Sequence, residues 1–227
     1  MISKQWLQTV SSDLRLTLVG FLSSLAAFSI LAAAPAFADE EMSFHIVSLG
    51  STGQQVIAAE GQITDATPQV FRAFVREHYE RPSLHSIVLI DSYGGKVLAS
   101  MELGRIFRQI GAAVIVAQPA SGTLAGGRCF SACVYALIGG KKRVIPPQSQ
   151  AGIHRMVAYG GGYDSQFGST ATMRLDNGTV AGTLSRYTSS MGVNPAIISL
   201  AEHIPPGALH VLSRGEIARW NLAASRL

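Results

Sequence analysis

The chain has 227 residues, with 18 Lys and Arg against 14 Asp and Glu, a formal net charge of +4 and 48% hydrophobic residues. That apolar share excludes a disordered chain, and the length suits one domain behind a leader. The nearest thing to a basic patch, Lys141-Lys142-Arg143, has no interleaved aromatics and reads as a solvated turn, which argues against nucleic acid as a partner.

Residues 1–38 read as a targeting segment. Lys4 and Arg15 are its cationic flank, 16–34 is apolar and small, and Ala36-Phe37-Ala38 has the small-x-small pattern of a cleavage site before Asp39-Glu40-Glu41. The apolar run is also about long enough to span a bilayer, so the alternative is a retained anchor in the inner membrane. Either way residues 39–227 are expected outside the cytoplasm as a single domain, in the periplasm if the source is Gram-negative.

Strands are expected at 45–49 and 54–63, joined by a turn at 50–53. Asp65 is placed to cap a helix through Val70, Phe71, Phe74 and Val75. The continuous apolar run 86–90 suits a strand covered on both faces. An amphipathic helix follows over 97–110, then a buried strand at 112–117 and an apolar helix over 131–138 ended by Gly139-Gly140. Short strands are expected at 143–145 and 150–154. The Gly-, Ser- and Thr-rich stretch 159–170 has no periodicity and reads as a loop, with helical spacing over 172–191. Asn194 and Pro195 open a short helix that Pro205-Pro206 ends, and Ser213 with Glu216 forms a capping box for the last one. Alternating strands and helices with apolar strands predict an α/β fold with a largely parallel central sheet.

The chemistry concentrates in three places. Asp91-Ser92-Tyr93-Gly94-Gly95 is a glycine turn directly after a strand. Ser131 opens a helix, and His154 ends a later strand. Acyl transfer needs a nucleophile, a proton acceptor and donors for the developing oxyanion. Ser131 fits the first role and His154 the second, since imidazole titrates near neutrality. The backbone N–H groups of Ala132 and of Gly94 or Gly95 fit the third. Each residue also has an ordinary reading: Ser131 as a helix cap, His154 as a core histidine, Gly94-Gly95 as a tight turn. Cys129 and Cys133 bracket Ser131, either bridged or as two buried thiols, and without a nearby histidine pair they do not make a metal site. No cofactor is expected.

In order and spacing, Ser92-Tyr93-Gly94-Gly95, Ser131, Gly152-Ile153-His154-Arg155 and Leu212-Ser213-Arg214-Gly215-Glu216-Ile217 resemble the proteolytic subunit of Clp protease, within the crotonase-like superfamily. The resemblance spans roughly 56–222. It implies a crotonase/Clp-protease-like fold, a serine peptidase acting on peptide or protein substrates, and a homo-oligomer. The family's third catalytic residue is an aspartate just before the closing Leu-Ser, where this chain reads Pro206-Gly207-Ala208-Leu209-His210-Val211. Glu202 is the nearest upstream acid. The alternatives are a Ser–His dyad or a role for His203 or His210. The handle that binds a partner ATPase is not identifiable, and export removes the chain from ATP. The expectation is therefore an ATP-independent exported serine peptidase, with a catalytically inactive scaffold for peptide binding or oligomerisation as the alternative. An acyl-CoA crotonase is disfavoured, because coenzyme A is not expected outside the inner membrane.

Overall fold

The computed structural model describes residues 40–50, 53–78, 84–164, 168–175 and 178–226. The expected targeting segment lies outside them. β1 (Ser43–Leu49) and β2 (Gln54–Glu60) pair antiparallel, with Ser43 opposite Glu60 and Leu49 opposite Gln54. The second strand stops short of the expected 63 at Gly61. There φ is 113°, and a Cβ would stand 2.6 Å from the Glu40 carbonyl oxygen. The entry to α1 (Thr67–His78) is made by Thr67, whose Oγ1 accepts the Thr64 N–H at 2.9 Å; no cap bond from Asp65 is found among the described residues.

β3 (Leu84–Asp91), α2 (Val97–Gln109) and β4 (Ala113–Ala120) follow, then β5 (Thr123–Gly126), β6 (Arg128–Phe130), α3 (Cys133–Gly139), β7 (Lys142–Val144) and β8 (Gln150–Ile153). β2, β3, β4 and β7 run parallel, with β1 and β5 added antiparallel. Val88, Leu89 and Ile90 are buried, because both faces of this sheet are covered. Phe71 of α1, Phe107 of α2 and Leu137 of α3 lie in the main core, and Phe71 meets Phe107 edge-on at 5.1 Å. A smaller cluster of Val56, Leu89, Ile115, Ala117 and Val144 forms separately. α2 and α3 meet in near backbone contact: a Cβ on Gly139 would land on the backbone of Gly104.

A second sheet, ordered β11–β8–β6, carries the features of interest; β11 is His210–Val211. β6 and β8 are parallel and β8 and β11 antiparallel. A bridge between Ser92 and Cys129 ties this sheet to the end of β3.

Two expectations are corrected here. Residues 159–164 and 168–170 are strand rather than loop: β9 (Val157–Asp164) and β10 (Gly168–Leu175) pair antiparallel, and 165–167 lie outside the described residues. Consequently the next helix, α4 (Thr179–Ser190), starts later than the expected 172. The glycine run erases any side-chain alternation, while pairing is made by backbone groups that every residue carries. α5 (Ala196–Glu202) and α6 (Arg214–Arg219) complete the chain, α6 with both halves of its Ser213–Glu216 capping box.

Candidate active site

Phe130 at the end of β6 is level with Gly152 on β8, and the strands leave the sheet in the same direction. Ser131 follows β6 and His154 follows β8, so the topology brings both to the same end of the sheet. α3 begins at Cys133, two residues later than expected. Its N-cap position is Ala132, without a side-chain cap bond, so Ser131 is not the ordinary helix cap. Instead Ser131 stands at φ 54° in the left-handed region. That conformation costs a non-glycine residue about 1–3 kcal/mol and persists only where its surroundings impose it. Here the Ser131 N–H donates to the Gly152 carbonyl at 2.8 Å and the Phe130 N–H to the Ser92 carbonyl at 3.0 Å. Cys129 and Cys133 are joined in a disulfide across the turn, their Cα atoms 5.2 Å apart.

The glycine turn lies against this serine. Gly94 has φ 107° and Gly95 φ 135°, values that L side chains rarely adopt. A Cβ on Gly94 would stand 2.9 Å from the Ser131 Cβ and 3.0 Å from the Ala132 nitrogen. Ser92 Oγ accepts the Gly94 N–H at 3.1 Å. Bonds from Ile63 N–H to the Gly94 carbonyl and from Lys96 N–H to the Ile63 carbonyl, each 2.8 Å, hold the turn from the other side. Among the described residues the N–H groups of Gly95 and Ala132 have no partner, whereas that of Gly94 is spent on Ser92. Of the expected donors, Gly95 and Ala132 are therefore the ones with an uncommitted N–H among the described residues, Gly95 exposed and Ala132 wholly buried. Asp91, which sequence reasoning passed over, accepts the Arg128 backbone N–H at 2.6 Å and so fixes the end of β3 to the start of β6.

His154 Nδ1 lies 2.9 Å from the Arg155 carbonyl oxygen. A carbonyl can only accept, so Nδ1 is the donor, and in the neutral ring Nε2 is then the acceptor. No hydrogen bond joins His154 to Ser131 among the described residues; in apo sites such bonds are often long and tighten with substrate. Glu202 does not bond His154. Its carboxylate lies 3.2 Å from Arg155 Nε, in an ion pair too poorly aligned to count as a hydrogen bond, so this buried Nε is otherwise unsatisfied. The same carboxylate, after burial itself, raises the pKa of the Tyr135 phenol. His203 Nδ1 bonds the Ser199 carbonyl, and His210 Nε2 bonds Glu216 at 2.9 Å. Glu202→Gln is accordingly expected to lower peptide or ester turnover less than about tenfold, because it loosens Arg155 rather than the imidazole. Removing a triad acid costs about 10⁴ in the serine-protease template, and a loss of that order would place the Glu202 carboxylate on His154.

The rim of the site is partly apolar. Tyr93, just before the glycine turn, is 55% exposed, and its ring sits edge-on to Phe130. Arg128 lies over the Tyr93 ring, 4.6 Å from its centroid, and 3.5 Å from Asp91. On the far side Leu209 packs over Gly152, where a Cβ would meet it at 3.0 Å.

No protein-family model and no curated protein sequence matches the chain. Solved structures do. A mutant described as the 1510-N membrane-bound stomatin-specific protease, with a serine changed to alanine, superposes with a TM-score of 0.52 at 20% identity, covering 82% of each chain. The fold is Clp-protease-like. A lysine-to-alanine mutant of the same protease, in complex with a substrate peptide, superposes with a TM-score of 0.51 at 20% identity over 75% of this chain and 74% of that one. The mixed sheet with its parallel centre is that of the crotonase type, as the order of the motifs implied.

Proposed function

We propose that the chain is an ATP-independent serine peptidase of the exported compartment. The observation that carries this reading is Ser131, held in a left-handed turn against Gly94, with the N–H groups of Gly95 and Ala132 unpaired among the described residues. Ser131 Oγ attacks the substrate carbonyl carbon, and its proton passes to His154 Nε2. The oxyanion collects the N–H groups of Ala132 and Gly95. Collapse forms an acyl-enzyme as His154 returns the proton to the leaving amine, and water repeats the sequence. A backbone carbonyl on Nδ1 takes the orienting place that a carboxylate holds in a triad, which makes the site a Ser–His dyad. A peptide substrate is supported by the partly apolar rim and by the neighbour solved with a substrate peptide. Export is supported by the targeting pattern of residues 1–38 and by a disulfide, which cytosolic conditions disfavour. No helix among the described residues is long and apolar enough to cross a membrane.

The second reading is a catalytically inactive scaffold, favoured by one observation: no carboxylate bonds His154. A fluorophosphonate probe separates the two. The purified chain is expected to be labelled at Ser131. Ser131→Ala should abolish labelling, and His154→Ala should slow it by at least about 10³-fold, the scale of losing a member of an interdependent pair. A folded protein that stays unlabelled would establish the scaffold.

A further inference from the structure

The Cys129–Cys133 bridge spans the one strained residue of the candidate site. Cys129 lies in β6 and Cys133 is the first residue of α3, so the bridge closes over Phe130, Ser131 and Ala132. Both cysteines are wholly buried. A ring this short removes little freedom from the unfolded chain, since disulfide stabilisation grows with loop length. Its effect therefore falls mainly on local geometry.

That geometry needs support. The hydrogen bonds made by Phe130 N–H and Ser131 N–H fix the strand side of the turn. On the helix side the turn is held by the Val134 N–H to the Ser131 carbonyl at 3.2 Å and the Tyr135 N–H to the Ala132 carbonyl at 3.0 Å, and Ala132 supplies no side-chain cap. Without a covalent tie only these two bonds and the packing of the buried first turn of α3 would oppose relaxation of Ser131 to negative φ. The Ala132 N–H would then move from its place beside Gly94.

We propose that Cys129 and Cys133 are positioning residues, clamping the β6–α3 turn so that Ser131 and the Ala132 N–H hold the geometry acyl transfer requires. The inference rests on the peptidase reading for its catalytic part, but the clamp itself is a statement about the turn. Complete burial makes it a fixed clamp rather than a thiol switch: a reductant reaches the sulfurs only when the domain opens.

The test compares the oxidised wild-type chain with the Cys129→Ala, Cys133→Ala pair by three measurements. Hydrogen exchange over residues 131–134 is expected to quicken at least about tenfold in the variant, as local opening becomes easier. The maximal rate of fluorophosphonate labelling is expected to fall roughly 10- to 100-fold while the half-saturating probe concentration holds, because a misplacement near 1 Å costs on that order. The melting temperature should drop by only a few degrees, roughly the effect of a short loop. Unchanged exchange in this segment overturns the clamp, as does equal labelling by a wild type that is itself labelled. If the wild type is unlabelled the peptidase reading fails, and the exchange result still decides the clamp. Should the alanine pair not fold, Cys129→Val with Cys133→Ala refills the buried volume and gives the same exchange readout. Native protein that loses the bridge in mild reductant without unfolding would overturn the distinction from a switch.

Discussion

Gly94→Ala is expected to abolish fluorophosphonate labelling within detection, a loss of at least about 10²-fold, and to destabilise the protein at the same time. A Cβ at this position would stand 2.7 Å from the Phe130 carbonyl oxygen, 2.9 Å from the Ser131 Cβ and 3.0 Å from the Ala132 nitrogen. Two of those three contacts are backbone and cannot swing aside. The turn must move away from the serine, and Gly94 at φ 107° must also leave a conformation that alanine rarely adopts. Both displacements move the glycine turn away from the Ala132 nitrogen, and one lost oxyanion donor is worth roughly 10²–10³ in rate. Labelling kinetics and thermal melting on the same preparation separate the two effects. Near-normal labelling with an unchanged melting temperature would remove the glycine turn from the site altogether.

Gly139→Ala is expected to be the most damaging single methyl in the fold. The added carbon would fall on the backbone of Gly104, with no side chain to rotate away. Gly104 is itself closed in: its own Cβ would stand 2.8 Å from the Tyr135 carbonyl oxygen and in collision with the Tyr187 hydroxyl. That hydroxyl donates to the same Tyr135 carbonyl at 2.8 Å, so helix α4 is seated on this crossing too. Separating α2 from α3 would loosen Phe107, Leu137 and Leu184 together. A cost of about 3–5 kcal/mol places the change in the overpacked tail of core substitutions, lowering the melting temperature by roughly 6–20 °C for a domain of this size. A melting temperature within two degrees of wild type would show that the helices can part without penalty. The effect on Ser131 should be secondary, since α3 runs from the turn that carries it.

The difference between these two glycines shows where sequence reading reached its limit. Ser131, His154 and the Gly94-Gly95 turn were legible as candidates, because their chemistry and chain order are properties of residue type and spacing. So were the apolar strand 86–90, the amphipathic helix over 97–110 and the Ser213–Glu216 cap, which depend on neighbours within a few residues. Gly139 read only as a helix stop. Its closeness to Gly104 arises from the crossing of two helices thirty-odd positions apart, and no local pattern records that crossing. The β9–β10 pair was missed for a related reason. Glycine carries no side chain whose alternation could announce a strand, and the pairing is between backbone groups.

By itself the sequence determined the α/β alternation and the identity of the candidate nucleophile and base, since local propensity and side-chain chemistry suffice for both. Tertiary structure alone decided which groups are available. It committed the Gly94 N–H to Ser92 and left those of Gly95 and Ala132 unpaired among the described residues. It also turned Glu202 to Arg155 and gave His154 Nδ1 a backbone carbonyl. It joined Cys129 to Cys133 around a serine at positive φ. A hydrogen bond or an ion pair depends on distances between segments far apart in the chain, and those distances exist only once the sheets and helices have packed.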